Sequence, residues 1–377
     1  MGYTLALEIG NRTMKLALGT RNGGEFHLKA VKTVGCKGFS SGEVTDRKLA
    51  ESVLSQSIAG LAGHARIDLL NFIVPSRYIV KKTVGISRTR INCKGDSTWE
   101  DLRKDCFKQV EKPSGTEILD SFPVMMEVDD RPVTVLPKGF VSRLKVVWNV
   151  YFVKSAVLDS WFSFLQPVSK AASVVFMPEE RAIGTAFDLF RNRASRIVVD
   201  LGERSVKIFS FSGGLLKLAK RLPVGCGAVE RDIATAFGIG LDKALLMKEG
   251  SGNALRITCK GEQVVIPDTE DACSSYDMAQ VVQGRMEEIF EGVVYLLQQY
   301  GEVEYSNIIL VGGGMNLKNS KELFDCMVGM DTVHVDFGNM DVEDEKLKAP
   351  ETVVVVGALS ATPEDNSRKG KGIFGFF

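Results

Sequence analysis

Histidine is scarce in this 377-residue chain: His27, His64 and His334 stand far apart in sequence. That scarcity excludes a histidine-rich metal centre. Seven cysteines, at 36, 93, 106, 226, 259, 273 and 326, form no C-x-x-C pair. Scattered thiols of this kind suit a reducing cytosol, where most are inert packing. Charge excess is missing too. Lys plus Arg equals Asp plus Glu at 47 each, so no global basic character argues for a nucleic-acid partner. No uninterrupted apolar run approaches the ~18 residues of a membrane span, and the N-terminus enters a strand without a signal peptide's basic and apolar regions. The expectation is a soluble intracellular protein with two or more domains and sizeable cores.

What the chain does have is a repeated turn. Residues 196–214, RIVVDLGERSVKIFSFSGG, read as a buried strand, an acid at its end (Asp200), a glycine turn (Gly202) and a second strand. Residues 4–19, TLALEIGNRTMKLALG, echo it. Setting Glu8 against Asp200 aligns Gly10 with Gly202, Arg12 with Arg204, Thr13 with Ser205 and Lys15 with Lys207. Matches at one constant offset between apolar strands point to an internal duplication. Such hairpins project backbone N–H groups, and glycine lets an anion come close. A carboxylate at the strand end can hold Mg²⁺, directly or through water, because that ion prefers oxygen ligands. Two hairpins facing each other would grip the phosphates of one nucleotide.

The rest of the chain is read in order. Residues 26–34 alternate as a third strand, 45–63 carry helical spacing opened by Asp46, and 68–75 form a short strand. Strand, strand, strand, helix, strand is the opening order of the actin and sugar-kinase fold. From about Gly85 to Pro167 a small α+β insertion is expected, with a helix at 98–111, strands at 118–128, 133–136 and 144–153, and a helix at 156–165. Its aromatics, Trp148, Tyr151, Trp161, Phe162 and Phe164, read as its core. A strand at 172–177 leads to a helix at 178–191, where Glu179 and Glu180 suit the positive dipole end or orient water at a cleft floor. Gly225 and Gly227 precede a helix, a ready anion or ribose site. A second helix at 241–249 carries Lys243 and Lys248, two short strands fall in 254–267, and a long helix spans 276–300. The apolar strand 307–311 ends in Gly312, Gly313 and Gly314, a flat wall for adenine or ribose, with a helix start at 316–324. Residues 351–359 close the domain as strand or helix.

Last comes SRKGKGIFGFF. Arg368, Lys369 and Lys371 precede Ile373, Phe374, Phe376 and Phe377, and large apolar side chains at that density are costly to leave in water. Against the default of a disordered end, the reading is a membrane tip, with basic residues contributing on the order of 1 kcal/mol each near an anionic leaflet. One tail binds marginally; a row of tails on a polymer gains by avidity.

Taken together, the two phosphate hairpins, VGCGAVERDIATAFGI, LVGGGMNL, the insertion and the basic-aromatic tip resemble the FtsA family, the actin-like membrane anchor of the bacterial division ring. The resemblance spans nearly the whole chain. It implies an α/β, actin-like (ribonuclease H-like) two-lobed ATPase fold with an FtsA-type α+β subdomain 1C. Subdomain 1A would be 1–84 and 166–192, 1C 85–165, 2A 193–227 and 301–360, and 2B 228–300, with 361–377 as linker and tip. It implies ATP and Mg²⁺ as cofactors, with Glu8 and Asp200 at the metal and Glu8, Asp200 and Glu179 in the catalytic positions. Nucleotide contacts fall on Gly10, Asn11, Arg12, Thr13 and Lys15; on Gly202, Glu203, Arg204 and Ser205; and on Gly225, Gly227, Lys248, Gly312, Gly313, Gly314 and Met315. Implied partners are a second copy in a filament, the C-terminal peptide of FtsZ on 2B, membrane lipids, and other divisome proteins. The location would be the inner face of the cell membrane at the division site. Glu8 replaces the usual aspartate, Glu203, Arg204 and Lys207 crowd the second loop, and MPEERAIG shifts its acid. These departures weaken fast hydrolysis more than binding, because positioning the attacking water is the demanding part of phosphoryl transfer. The rivals are a PilM-like pilus-assembly protein that binds a membrane-protein peptide, and a small-molecule kinase of the same fold.

Overall fold

The computed structural model describes residues 2–22, 25–63, 65–190, 195–300, 308–329, 331–333, 341, 342, 347, 349–361 and 367–369. The chain opens with β1 (Tyr3–Ile9), β2 (Thr13–Asn22), β3 (Glu25–Gly35), the two-residue strands β4 (Phe39–Ser40) and β5 (Glu43–Val44), α1 (Arg47–Ala62) and β6 (Ile67–Ile73). Then come β7 (Ile79–Cys93), α2 (Asp96–Gln109), β8 (Thr116–Val128), β9 (Arg131–Val133), β10 (Gly139–Lys154), α3 (Ser155–Ser169), β11 (Ser173–Met177) and α4 (Glu179–Ala186). The second half holds β12 (Arg196–Leu201), β13 (Val206–Ser212), β14 (Leu215–Leu222), α5 (Gly227–Phe237), α6 (Leu241–Ser251), β15 (Gln263–Val265), β16 (Ala272–Ser274) and α7 (Ser275–Gln299). It ends with β17 (Ile308–Val311), α8 (Ser320–Val328), β18 (Asp341–Val342), α9 (Val353–Ser360) and β19 (Ser367–Lys369).

Two sheets repeat one topology. The first runs β3-β2-β1-β6-β11, extended at its edges by β18 and β19; the second runs β14-β13-β12-β17. In both, the opening hairpin is antiparallel and the next neighbour is parallel. Central parallel strands are covered on both faces and therefore read as continuous apolar runs, and Leu5, Ala6 and Leu7 of β1 are all fully buried. Helix α1 starts because Asp46 caps it, accepting a hydrogen bond from the Leu49 amide at 3.1 Å. It then buries Ala50, Leu54 and Ile58, one turn apart, on the sheet.

The insertion has its own antiparallel sheet, β7-β10-β8-β9, and its own core, including Leu102, Met126, Leu144 and Trp148. Strand β7 does not figure in the sequence reading, and Gly85 lies inside it, opposite Val147. Charged residues fall on both faces of the strand (Lys81, Lys82, Arg88 and Arg90) and interrupt the alternation that would betray it. Helix α3 is a correction to the reading of the aromatics. Trp148 belongs to the insertion's core, but Tyr151, Trp161 and Phe164 are buried in the core of the first sheet, where Trp161 meets Phe72 at a ring separation of 4.7 Å. Between 254 and 267 there is one strand, β15; its partner β16 follows a turn in which Asp268 takes φ 58°.

Residues 353–360 form a helix despite four consecutive valines, and tertiary packing decides it. Helix α9 lies against β1, β2, β6 and α4, fully sheltered from Val353 to Leu359. Gly357 permits that crossing, since a side chain there would collide with the Ala182 carbonyl and stand 2.8 Å from Ala186 Cβ. Asn71, buried on β6, donates to the Ala358 carbonyl at 2.7 Å and ties down the helix end.

Candidate functional site: a cleft between duplicated hairpins

The aligned residues of the two hairpins occupy matching places. In the first, Glu8 pairs with Lys15 across the strands and Ile9 with Met14; in the second, Asp200 pairs with Lys207 and Leu201 with Val206. The Gly10 amide donates to the Thr13 carbonyl at 2.9 Å, and the Gly202 amide to the Ser205 carbonyl at 3.2 Å. Both hairpins line one cavity of about 400 Å³. The glycine turn before α5 closes onto the second hairpin, with the Cys226 amide donating to Gly202 O at 2.9 Å and the Gly227 amide to Glu203 O at 2.8 Å.

Three acids and two lysines make the floor. Lys15 Nζ stands 3.2 Å from Glu8. Lys207 Nζ reaches both Glu179 oxygens, at 2.7 and 2.5 Å, and lies 3.5 Å from Asp200. Burial pushes the Glu179 carboxyl up, to about 8, with Asp200 and Glu8 adding to the rise against the pull of Lys207. Burial acts to lower both lysines, yet their acidic neighbours outweigh it and hold Lys15 and Lys207 above the ordinary ammonium value.

Across the mouth, Arg12 of the first hairpin grips the second half of the chain. Its guanidinium is 2.7 and 2.5 Å from the two oxygens of Glu230 on α5 and 3.2 Å from Glu203. Lys248 of α6 meets the same Glu230 at 2.5 Å. Burial alone would raise Glu230, but the hydrogen bonds from Arg12 and Lys248 bring it below its ordinary value of 4.5. A lowered carboxyl stabilises the fold above the unfolded-state value and loses that contribution as pH falls. Glu230→Gln therefore costs about 2 kcal/mol at neutral pH, the range of a hydrogen bond between charged groups. The gap between the two urea midpoints closes as pH drops below 4.5. A gap still present near pH ~3 contradicts this pairing.

Of the residues singled out from sequence, the cavity is lined by Glu8, Gly10, Asn11, Arg12, Thr13, Lys15, Glu179, Asp200, Gly202, Glu203, Arg204, Ser205, Lys207, Gly227, Lys248, Gly313 and Gly314. Gly225, Gly312 and Met315 do not line it. Gly225 presses on the second hairpin, where a Cβ would stand 2.5 Å from Gly202 O and Ser205 N. Gly312 takes φ 93° beneath Asp200, and Met315 packs on the second core. Arg368 and Lys369 lie on β19, paired with β11; Lys371, Ile373, Phe374, Phe376 and Phe377 lie outside the described residues. Glu230 and Glu351 also line the cavity and were missed. Glu230 follows Gly227 by one helical turn, a spacing that carried the signal. Glu351 carried none; its Oε2 and that of Glu203 are buried without a hydrogen-bond partner among the described residues, acceptors available to a ligand hydroxyl or amine.

The donor set does not fit a bound Mg²⁺. The carboxylates expected to face the ion, Glu8 and Asp200, already face ammonium groups, and Glu179 has both oxygens engaged. Among the described residues, no three carboxylate, imidazole or thiol groups converge as metal ligands do.

Comparison with known proteins adds the following. The family model described as "Cell division protein FtsA" matches residues 197–357. The cell division protein FtsA of Staphylococcus epidermidis is 20% identical over 341 residues, covering 86% of this chain and 72% of that protein. Among solved structures, the PilM-PilN type IV pilus biogenesis complex aligns with a TM-score of 0.60 at 17% identity, covering 94% of this chain and 97% of that one. MreB5 of Spiroplasma citri bound to ADP gives 0.54 at 12% identity, covering 95% of each chain. The fold is that of the actin-like ATPases.

Proposed function

We propose, on the premise that this is an FtsA-like protein of actin-like fold, that it binds ATP in the cleft, assembles into filaments on the inner face of the cell membrane, and tethers FtsZ there. The observation that carries the nucleotide reading is the pair of hairpins in identical register facing one cavity. The glycine turns at Gly10 and Gly202 border the phosphates, the flat Gly313-Gly314 wall takes the adenosine, and Glu230 with Lys248 stands on the ribose side. Hydrolysis is slow at most. Water activation needs a carboxylate free to take a proton, and Lys207 already holds both oxygens of Glu179. For the FtsZ peptide, residues 228–300 offer the individually exposed apolar side chains of Leu246, Ile257, Val265 and Tyr276 as contacts. Membrane attachment falls to Arg368–Phe377, whose support is its basic-aromatic sequence. No described helix is long and apolar enough to cross a membrane.

Electron microscopy of the pure protein with ATP on an anionic lipid monolayer tests this. Filaments that recruit FtsZ are expected, and deleting residues 372–377 abolishes pelleting with liposomes. The PilM likeness supports a second reading, in which the chain binds a peptide of a membrane protein. Pelleting unchanged by that deletion, with no FtsZ recruited, selects the second reading.

A further inference from the structure

The duplicated hairpins carry more than glycines. Two residues after each glycine stands an arginine, and three further on a lysine: Arg12 and Lys15 in the first, Arg204 and Lys207 in the second. All four line the cavity, and the lysine side chains are only 13% and 23% exposed. Lys15 neutralises Glu8, and Lys207 neutralises Glu179 beside Asp200. A divalent ion placed among these acids would face two fixed ammonium charges at close range, and like charges in a partly buried site repel strongly. A polyphosphate, by contrast, needs cations that present hydrogen-bond donors, which lysine and arginine supply.

We propose that this chain holds the polyphosphate of its nucleotide through the duplicated arginine–lysine pairs, Arg12 with Lys15 and Arg204 with Lys207, without a divalent cation. Lys207 occupies the place between Asp200 and Glu179 that a metal ion would need. Arg12, now bonded to Glu230 and Glu203, has donors enough to share with a phosphate. The inference rests on the nucleotide reading above.

Calorimetric titration of the full chain with ATP, once in excess Mg²⁺ and once in EDTA, tests it. The expected dissociation constants agree within about threefold, because no metal contact is lost. Binding more than about tenfold weaker in EDTA overturns the proposal and leaves the nucleotide reading standing. Absence of binding in both buffers overturns the two together. Lys207→Ala is expected to bind ATP about 10- to 100-fold more weakly in EDTA, the loss of one charge-assisted contact, and to recover when Mg²⁺ is added. Lys207→Arg keeps the charge and retains binding in EDTA, which separates loss of the cation from loss of the fold. EDTA-resistant binding in Lys207→Ala at wild-type affinity overturns the role given to Lys207.

Discussion

Gly313→Trp abolishes ATP binding, weakening it by at least about 100-fold, while the protein stays folded and melts within about 2 °C of wild type. A Cβ at Gly313 would meet nothing within 4 Å, and its φ lies outside the left-handed region, so a large side chain there enters open space. That space is the cavity, which Gly313 lines. An indole leaning into it competes with the adenosine for the same volume, since a ligand pocket buries most of its occupant's surface. The neighbouring glycine predicts the opposite. At Gly312, with φ 93°, a Cβ would collide with the Asp200 carboxylate and stand 2.7 Å from Leu201 O, so alanine there disturbs the fold. Calorimetric titration with ATP and a thermal melt on each variant check the pair. Unchanged affinity in Gly313→Trp would place the nucleotide elsewhere.

Arg181→Ala lowers stability by about 3–5 kcal/mol, the cost of stranding a buried charge. The Arg181 guanidinium is held by both oxygens of Asp120, at 2.8 and 2.6 Å, and the Asp120 side chain is 6% exposed. It also lies over Phe122 and Phe190, 4.9 and 4.7 Å from their ring centroids, stacking that lysine would not reproduce. Removing it leaves the buried Asp120 carboxylate without its cation, its Oδ1 still accepting from the Ser121 amide at 2.7 Å. Because much of that cost belongs to the stranded partner, Arg181→Ala combined with Asp120→Ala should lose clearly less than the two single losses added. Urea unfolding of the four proteins of the cycle measures this, and simple additivity would show that the pair is not coupled.

How much of this was legible depends on whether a signal was local. The hairpin register was, because Glu8/Lys15 and Asp200/Lys207 fall at one spacing within a short turn, and period-2 alternation places each pair across its strands. The cap at Asp46 and the long helix α7 were local too. Strand β7 was not, since charged residues on both of its faces break the alternation. The fate of Trp161 and Phe164 depended on which sheet α3 would cover, and that of Tyr151 on which core the end of β10 would meet, both non-local choices. In the cleft, the residue types were readable but their partners were not. Nothing near Arg12 in sequence announces Glu230, 218 positions away, and nothing near Glu179 announces Lys207.

Three successive residues at the start of α4 face two ways. Glu179 meets Lys207 at the cleft floor, while Glu180 accepts from Lys81 and from the Tyr151 hydroxyl, and Arg181 holds Asp120. Burial, with Glu180 beside it, keeps the Tyr151 phenol protonated far above its ordinary value, so that hydroxyl remains a donor at every pH the protein meets. One helical turn thus ties the cleft floor to the sheet of the insertion through three consecutive side chains, so a shift of α4 along its axis would disturb both sets of contacts at once.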